Sequence, residues 1–161
     1  MTELHKAKQL IDSVDLSQVI ERLVLIDKWK RKDAIAACAQ YRNYLYLKKK
    51  YGHEYELPPS WDIDEAWHAH ILHTEDYVNF CDQAFGHYLH HHPHSKQGTL
   101  STKQLTELFE TQTQKLYKKE FGEYLYAVQR MPLHKKAKAI IKKLVTIRSQ
   151  YQAFKRQELE S

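Results

Sequence analysis

The sequence has few of the residues that interrupt helices. Its 161 residues include only four glycines and four prolines, the two residue types that break helices most strongly. Between these few breakers, apolar residues recur at helical spacing. We therefore predict an all-α protein, a single-domain helical bundle of about five helices spanning residues 1–161, with a histidine-rich loop.

Cysteine and long apolar segments are also scarce. The two cysteines, Cys38 and Cys81, match no zinc-finger spacing and favour a reducing compartment. The N-terminal residues MTELHKAKQL lack the apolar core of a signal peptide, and no stretch approaches the roughly 18 apolar residues of a membrane span. These absences predict a protein without a membrane span that is cytoplasmic or delivered by a signal-peptide-independent secretion system.

Positive charge is concentrated near the C-terminus. The chain has a net charge of +5, yet residues 132–161 contain eight Lys or Arg and only two Glu. Pro132 suits the first turn of a helix, so we predict a basic helix over residues 132–157. Its apolar residues follow a heptad spacing, and the helix either packs on the bundle or binds an acidic protein partner. Nucleic acid is a disfavoured partner, because Tyr151 and Phe154 lie on the apolar stripe rather than among the lysines.

Capping residues and turn residues set the other helix boundaries. Ser101 and Gln104 have capping-box spacing, and Gly86 and Gly122 stand where helices end. On these signals we predict four further helices, over residues 16–32, 33–52, 63–84 and 101–122. The third of them should bury an edge made by Trp67, Ile71 and Val78.

The stretch WDIDEAWHAHILHTEDYVNFCDQAFGHYLHHHP, residues 61–93, departs from this ordinary pattern. Eight of the chain's 11 histidines fall within residues 68–94. On a regular helix Asp64 and His68 share a face, whereas His70 lies about 200° from His68. One helix therefore cannot direct both histidines at one ion.

Two metal sites fit this segment. The first combines Asp64 and His68 with His90 or His91 from the following loop, a donor set that suits a divalent ion such as Zn²⁺ or Fe²⁺. His70 would then act as a catalytic acid–base group or orient a ligand. The second combines His70 and His73 with Cys81, but Cys81 lies about 16.5 Å from His70 along the axis of a regular helix. We prefer the first site.

Two classes of function remain open from the residues alone. One is a small metal-dependent enzyme, although no HExxH motif, nucleophilic triad or phosphate-binding loop identifies its small-molecule substrate. The alternative is a protein–protein interaction module, such as a secreted bacterial effector, that acts through its basic C-terminal helix. Such a module could be metal-stabilised or metal-free, and without a metal the histidines would be a surface cluster on a structural helix.

The central part of the chain, residues 38–122, resembles the bacterial members of the glycine-rich domain-containing protein-like family. The family motif is matched here by Pro59, Ser60, Asp64, Trp67, His68, His70, Leu72, Tyr77, Cys81, Phe85, Gly86, His90, His91 and Pro93. The resemblance implies that the aspartate, the two helix histidines, the cysteine and the loop histidines form one constellation. It implies no particular reaction, and the glycine-rich region of the plant members has no counterpart in a chain with four glycines.

Overall fold

The computed structural model describes residues 2–91 and 100–128, which form helices joined by short loops. Within these two ranges there is no β-strand. The elements are α1 (Glu3–Ser13), α2 (Ser17–Leu25), α3 (Arg31–Tyr51), α4 (Trp61–Ile71), α5 (Thr74–Phe85), α6 (Thr102–Leu108), a π-helical segment (Phe109–Thr113) and α7 (Gln114–Phe121). Because α6, the π-helical segment and α7 follow one another without a break, the described residues form six rods. The predicted all-α fold is confirmed.

The longest helix, α3, lies at the centre of the fold. It packs against α1, α2, α4 and α7, and its inward-facing Tyr41, Tyr44 and Leu45 are fully buried. The Tyr44 hydroxyl donates a hydrogen bond of 2.6 Å to the Leu57 carbonyl. Buried tyrosines of this kind supply apolar area and a polar anchor together, and this anchor fixes the loop that leads into α4.

The N-terminal region has more helices than the sequence predicted. Helix α1 was not predicted, and the predicted helix over 16–32 is wrong beyond Leu25. Lys28 adopts a positive φ of 60°, and the Trp29 amide bonds back to the Leu23 carbonyl at 2.9 Å. Trp29 is buried and stacks on Trp61 at 5.3 Å. The Trp29 indole is thus buried within the turn that connects α2 to α3.

The predicted helix over 63–84 is two helices, α4 and α5, separated at residues 72 and 73. The His73 amide bonds to the His70 carbonyl at 3.0 Å, which tightens the last turn of α4, and neither Gly nor Pro marks the break. Glu75 and Asp76 then lie in the first turn of α5, where acidic side chains favour a helix start.

The break also changes which side chains are buried. Trp67 is buried as predicted, and Ile71 packs partly buried against the core. Val78, however, is 40% exposed, so its predicted place in the buried edge is wrong. A pattern read along one continuous helix does not carry across a change of helix direction.

The later helix signals agree with the sequence prediction. Ser101 and Gln104 form the capping box, Gly122 ends α7 with φ of 79°, and α3 matches the predicted helix over 33–52 to within two residues at its start. Inside the last rod, the π-helical segment presents the buried Thr113, whose hydroxyl donates to the Pro58 carbonyl at 2.9 Å. This bond ties the rod to the loop that precedes α4.

The chain divides into a unit of residues 1–128 and a second unit of residues 129–161. The predicted basic helix over 132–157 lies outside the described residues, so its partner stays a prediction, as do the single domain over 1–161 and its motif core over 38–122. In the described part of the chain, no helix has the length and apolarity needed to cross a membrane.

Candidate metal centre

Asp64 and His68 lie one turn apart on the outward face of α4. The helix starts at Trp61, and the Ser60 hydroxyl caps it by accepting a 3.3 Å hydrogen bond from the Ile63 amide. This cap sets the register, and the Nδ1 atom of His68 lies 3.4 Å from Oδ2 of Asp64. The His68 side chain is 47% exposed, so the pair lies at the surface.

The loop after α5 brings His91 to the same place. Gly86 ends α5 in the left-handed conformation, with φ of 76°, a geometry that glycine adopts without strain. Five residues later the His91 ring stacks on Trp67, with ring centres 4.3 Å apart and planes inclined by 20°. Its Nε2 atom lies 2.9 Å from Oδ1 of Asp64, and the side chain is only 6% exposed.

Two buried hydrogen bonds hold this loop against α4. The Trp67 indole donates to the Tyr77 hydroxyl at 2.8 Å, and that hydroxyl donates to the Leu89 carbonyl at 2.6 Å. Burial raises the pKa of Tyr77 well above its usual value, so the hydroxyl keeps the proton that it donates. Trp67 therefore supports His91 twice, by direct stacking and through Tyr77 and Leu89.

The three candidate ligands have the spacing of atoms that share one ion. Their ligand atoms all lie within 4.8 Å of one another, and the two contacts to Asp64 measure 2.9 and 3.4 Å. With ligand bonds of about 2.0–2.2 Å and angles between 90° and tetrahedral, two donors on one ion are about 2.8–3.6 Å apart. Both contacts fall in that range.

The His91 Nε2 atom has an unusual environment. It is buried and has no hydrogen-bond partner among the described residues, although Oδ1 of Asp64 is only 2.9 Å away. The distance suits a hydrogen bond, but the two groups do not have hydrogen-bond geometry, and hydrogen bonds weaken steeply when they bend. A buried polar atom without a partner is costly in a folded protein. An ion bound between the two atoms would satisfy both.

A cavity of about 790 Å³ opens beside these residues, and Asp64, Trp67 and His91 form part of its wall. His68 lies outside the lining, so the candidate centre is at the cavity's edge. The cavity also has aromatic and basic walls, formed by Tyr44, Trp61, Phe85, Tyr88, Phe109, Lys48, Lys49, His53, His87 and His90. This volume is in the range of small-molecule sites, about 300–1,000 Å³.

His90 was predicted as a metal ligand alongside His91, and the structure separates the two. The His90 side chain is exposed, lines the cavity and has its ring 4.8 Å from that of Tyr88. It is not in the group of converging ligand atoms, which consists of Asp64, His68 and His91. Of the two loop histidines, His91 is the better candidate.

His70, the predicted acid–base residue, lies on the opposite face of α4. It is 2% exposed, and its Nδ1 atom lies 3.0 Å from the Tyr41 hydroxyl, with Tyr77 and Phe80 around the ring. Burial lowers the pKa of His70 to about 4, and the neighbouring His73 adds to this effect, so the ring is neutral near pH 7. It does not line the cavity. Its catalytic role stays a prediction that this position does not favour.

The alternative site receives no support from the described residues. His70, His73 and Cys81 do not form a second group of converging ligand atoms within the described ranges. Cys81 is fully buried, and burial raises the pKa of its thiol, which disfavours the thiolate that a metal requires. Within the described residues Cys81 is therefore a buried core residue and not a candidate ligand.

Two supporting residues were not identified from the sequence. Trp67 was treated only as a packing residue, and Tyr77 received no role. The available signal was their spacing around the histidines, but only the fold reveals that one tyrosine hydroxyl joins Trp67 to the loop that carries His91.

Comparison with known proteins identifies a family whose description names no activity. The family model described as UCP032817-like matches residues 6–107, so the chain belongs to that family. The match includes Asp64, His68 and His91, and the description names no reaction. No curated protein and no solved structure matches the chain. The resemblance to the glycine-rich domain-containing protein-like family stays a prediction.

Proposed function

We propose that the protein binds one divalent metal ion, Zn²⁺ or Fe²⁺, through Asp64, His68 and His91. One carboxylate and two imidazoles form a donor set that proteins use for both ions. The observation that carries the proposal is the buried Nε2 atom of His91, 2.9 Å from a carboxylate oxygen and without a hydrogen-bond partner in the described part of the chain.

The donor set also supports a catalytic rather than a purely structural ion. Structural zinc sites close their coordination with four protein ligands, whereas catalytic sites keep a position open. Three protein ligands beside a cavity leave such a position, and an ion there would supply Lewis-acid chemistry to a bound small molecule. The chain's own contribution is to hold the ligands: Trp67 covers one face of the His91 ring and limits its movement.

The test is the metal content of protein purified without a histidine tag. We expect about one ion per chain by elemental analysis, or uptake of one Zn²⁺ after treatment with a chelator. His68→Ala and His91→Ala should each lower the affinity for the ion at least tenfold, because changes to residues that only orient a metal ligand already cost about 10–100-fold in affinity. The matched control is His90→Ala, since His90 is the neighbour of His91 and lines the same cavity.

Two results would contradict the proposal. A protein that takes up neither Zn²⁺ nor Fe²⁺ has no such site. A His90→Ala variant that loses as much metal as His91→Ala would show that the loop binds metal without the geometry described here.

The sequence also allows an interaction module that uses residues 132–157 to bind an acidic partner, in the cytoplasm or after secretion. The described residues add no observation in its favour. The metal-dependent enzyme is therefore the function that we propose.

A further inference from the structure

The end of α3, which forms part of the cavity wall, carries several positive charges. Three consecutive lysines, Lys48, Lys49 and Lys50, lie in the last turn of that helix. Lys50 has a carboxylate partner, since its ammonium group lies 2.9 Å from both oxygens of Glu120. Lys48 and Lys49 line the cavity.

Lys49 has only weak partners among the described residues. Its ammonium group donates to the Phe85 carbonyl at 3.4 Å, the outer limit of a hydrogen bond, and lies 5.7 Å from the centre of the Phe85 ring. No carboxylate of the described chain lies within ion-pair distance of it. A lysine that lines a cavity and has only such weak contacts can form a stronger, charge-assisted hydrogen bond with an anionic ligand.

A bound metal ion would change the charge balance of the cavity. Two lysines and two carboxylates, Glu56 and Asp64, line it, so these charges cancel in the metal-free protein. Bound cations are often the largest local charges in a site. Once a divalent ion is held by Asp64 and two neutral imidazoles, positive charge is in excess.

The remaining wall suits a flat apolar body. Aromatic side chains from four parts of the chain line the cavity: Tyr44 from α3, Trp61 and Trp67 from α4, Phe85 and Tyr88 from the end of α5 and its loop, and Phe109 from the last rod. Small-molecule sites commonly combine such walls with a few polar groups that orient the ligand.

We propose that this cavity binds a small organic anion with an aromatic or similar apolar body, and that Lys49 contacts its anionic group. The proposal rests on the proposed function, because the bound ion supplies the excess positive charge. Carboxylates and phosphate monoesters share the required chemistry, and the test distinguishes them.

The experiment uses three probes that share one ring system: 2-naphthoate, 2-naphthyl phosphate and the neutral 2-naphthamide. Each is titrated by calorimetry into the full-length protein, loaded with Zn²⁺ and then stripped of metal, and zinc content is measured on the same samples. At least one anion should bind about tenfold more tightly than the amide, since bonds to charged groups contribute more than neutral ones. Removal of zinc should reduce this preference.

Lys49→Met should remove most of the preference for the anion, leave the affinity for 2-naphthamide unchanged and leave zinc content unchanged. The matched control is Lys32→Met, because Lys32 is an exposed lysine in the first turn of the same helix and outside the cavity lining. It should alter none of the three values.

The possible failures are distinguishable. Equal affinity for anions and amide in a zinc-containing protein overturns the anion proposal and leaves the metal site intact. A protein that takes up neither Zn²⁺ nor Fe²⁺ overturns the proposed function. A preference for the anion that Lys49→Met removes would then still support contact between Lys49 and the anionic group. Loss of the preference in Lys32→Met as well would exclude a specific role for Lys49.

Discussion

Two histidines separated by one residue, His68 and His70, lie on opposite faces of α4 and have different environments. His70 is 2% exposed, bonded to the Tyr41 hydroxyl and enclosed by aromatic rings. His68 is largely at the surface and faces Asp64 and the His91 ring, with the two imidazole centres 4.4 Å apart.

The comparison shows that the number of histidines in a segment does not identify a site. A histidine whose ring is enclosed by the core, with a nitrogen bonded to a tyrosine, behaves as a structural residue. A histidine that converges with a carboxylate and a second imidazole has the surroundings of a metal ligand. Trp67 lies between the two faces and contacts both environments, through Tyr77 on one side and His91 on the other.

The largest expected effect is therefore that of Trp67→Ala. Removing this buried indole leaves a cavity, takes the donor from Tyr77 and removes the surface on which His91 stacks. We expect the free energy of unfolding of the metal-free protein to fall by about 3–5 kcal/mol, measured by urea denaturation. A loss below about 1 kcal/mol would mean that Trp67 does not join the two faces as described.

The next effect separates the two histidines. His70→Ala should lower the free energy of unfolding by about 2–4 kcal/mol, because it removes a buried ring and leaves the Tyr41 hydroxyl without its partner. Metal content of the folded variant should not change. His68→Ala should do the reverse, with loss of metal and a stability within about 0.5 kcal/mol of the parent metal-free protein. If both variants lost metal equally, the distinction between the faces would be wrong.

Tyr77→Phe should have a smaller effect, and it should lower both the free energy of unfolding and the affinity for Zn²⁺. It removes the hydroxyl between Trp67 and the Leu89 carbonyl, and two buried groups left without partners cost about 1–3 kcal/mol. Because Leu89 lies two residues before His91, the affinity for Zn²⁺ should also fall about tenfold. The control is Tyr88→Phe, at a neighbouring, more exposed tyrosine. Unchanged zinc affinity in a destabilised Tyr77→Phe would limit the hydroxyl to a role in stability.

Local signals in the sequence predicted much of this fold. The capping box at Ser101, the left-handed glycines Gly86 and Gly122 and the uninterrupted pattern of α3 all depend on short-range chemistry. The pairing of Asp64 with His68 follows from helix geometry in the same way. The break between α4 and α5 does not follow from such local signals, because neither Gly nor Pro marks residues 72 and 73.

The selection of His91 over His90 also depends on long-range contacts. Adjacent residues in a loop carry the same local signal, and the loop's direction decides which side chain faces inward. That direction is set by Gly86 and by the Leu89 carbonyl, which accepts a bond from Tyr77, twelve residues earlier. Neither the identity of His91 nor its spacing from Asp64 contains this information.

The π-helical segment has a consequence for the phase of the last rod. Phe109, Thr113, Tyr117 and Phe121 all face the core or pack partly against it, although they recur every fourth residue. In an ideal α-helix each step of four residues overshoots a full turn by about 40°, so Phe121 would point about 120° away from Phe109. The wider turn at Phe109–Thr113 absorbs part of this drift. One rod can thus line the cavity at its start and pack against α3 at its end.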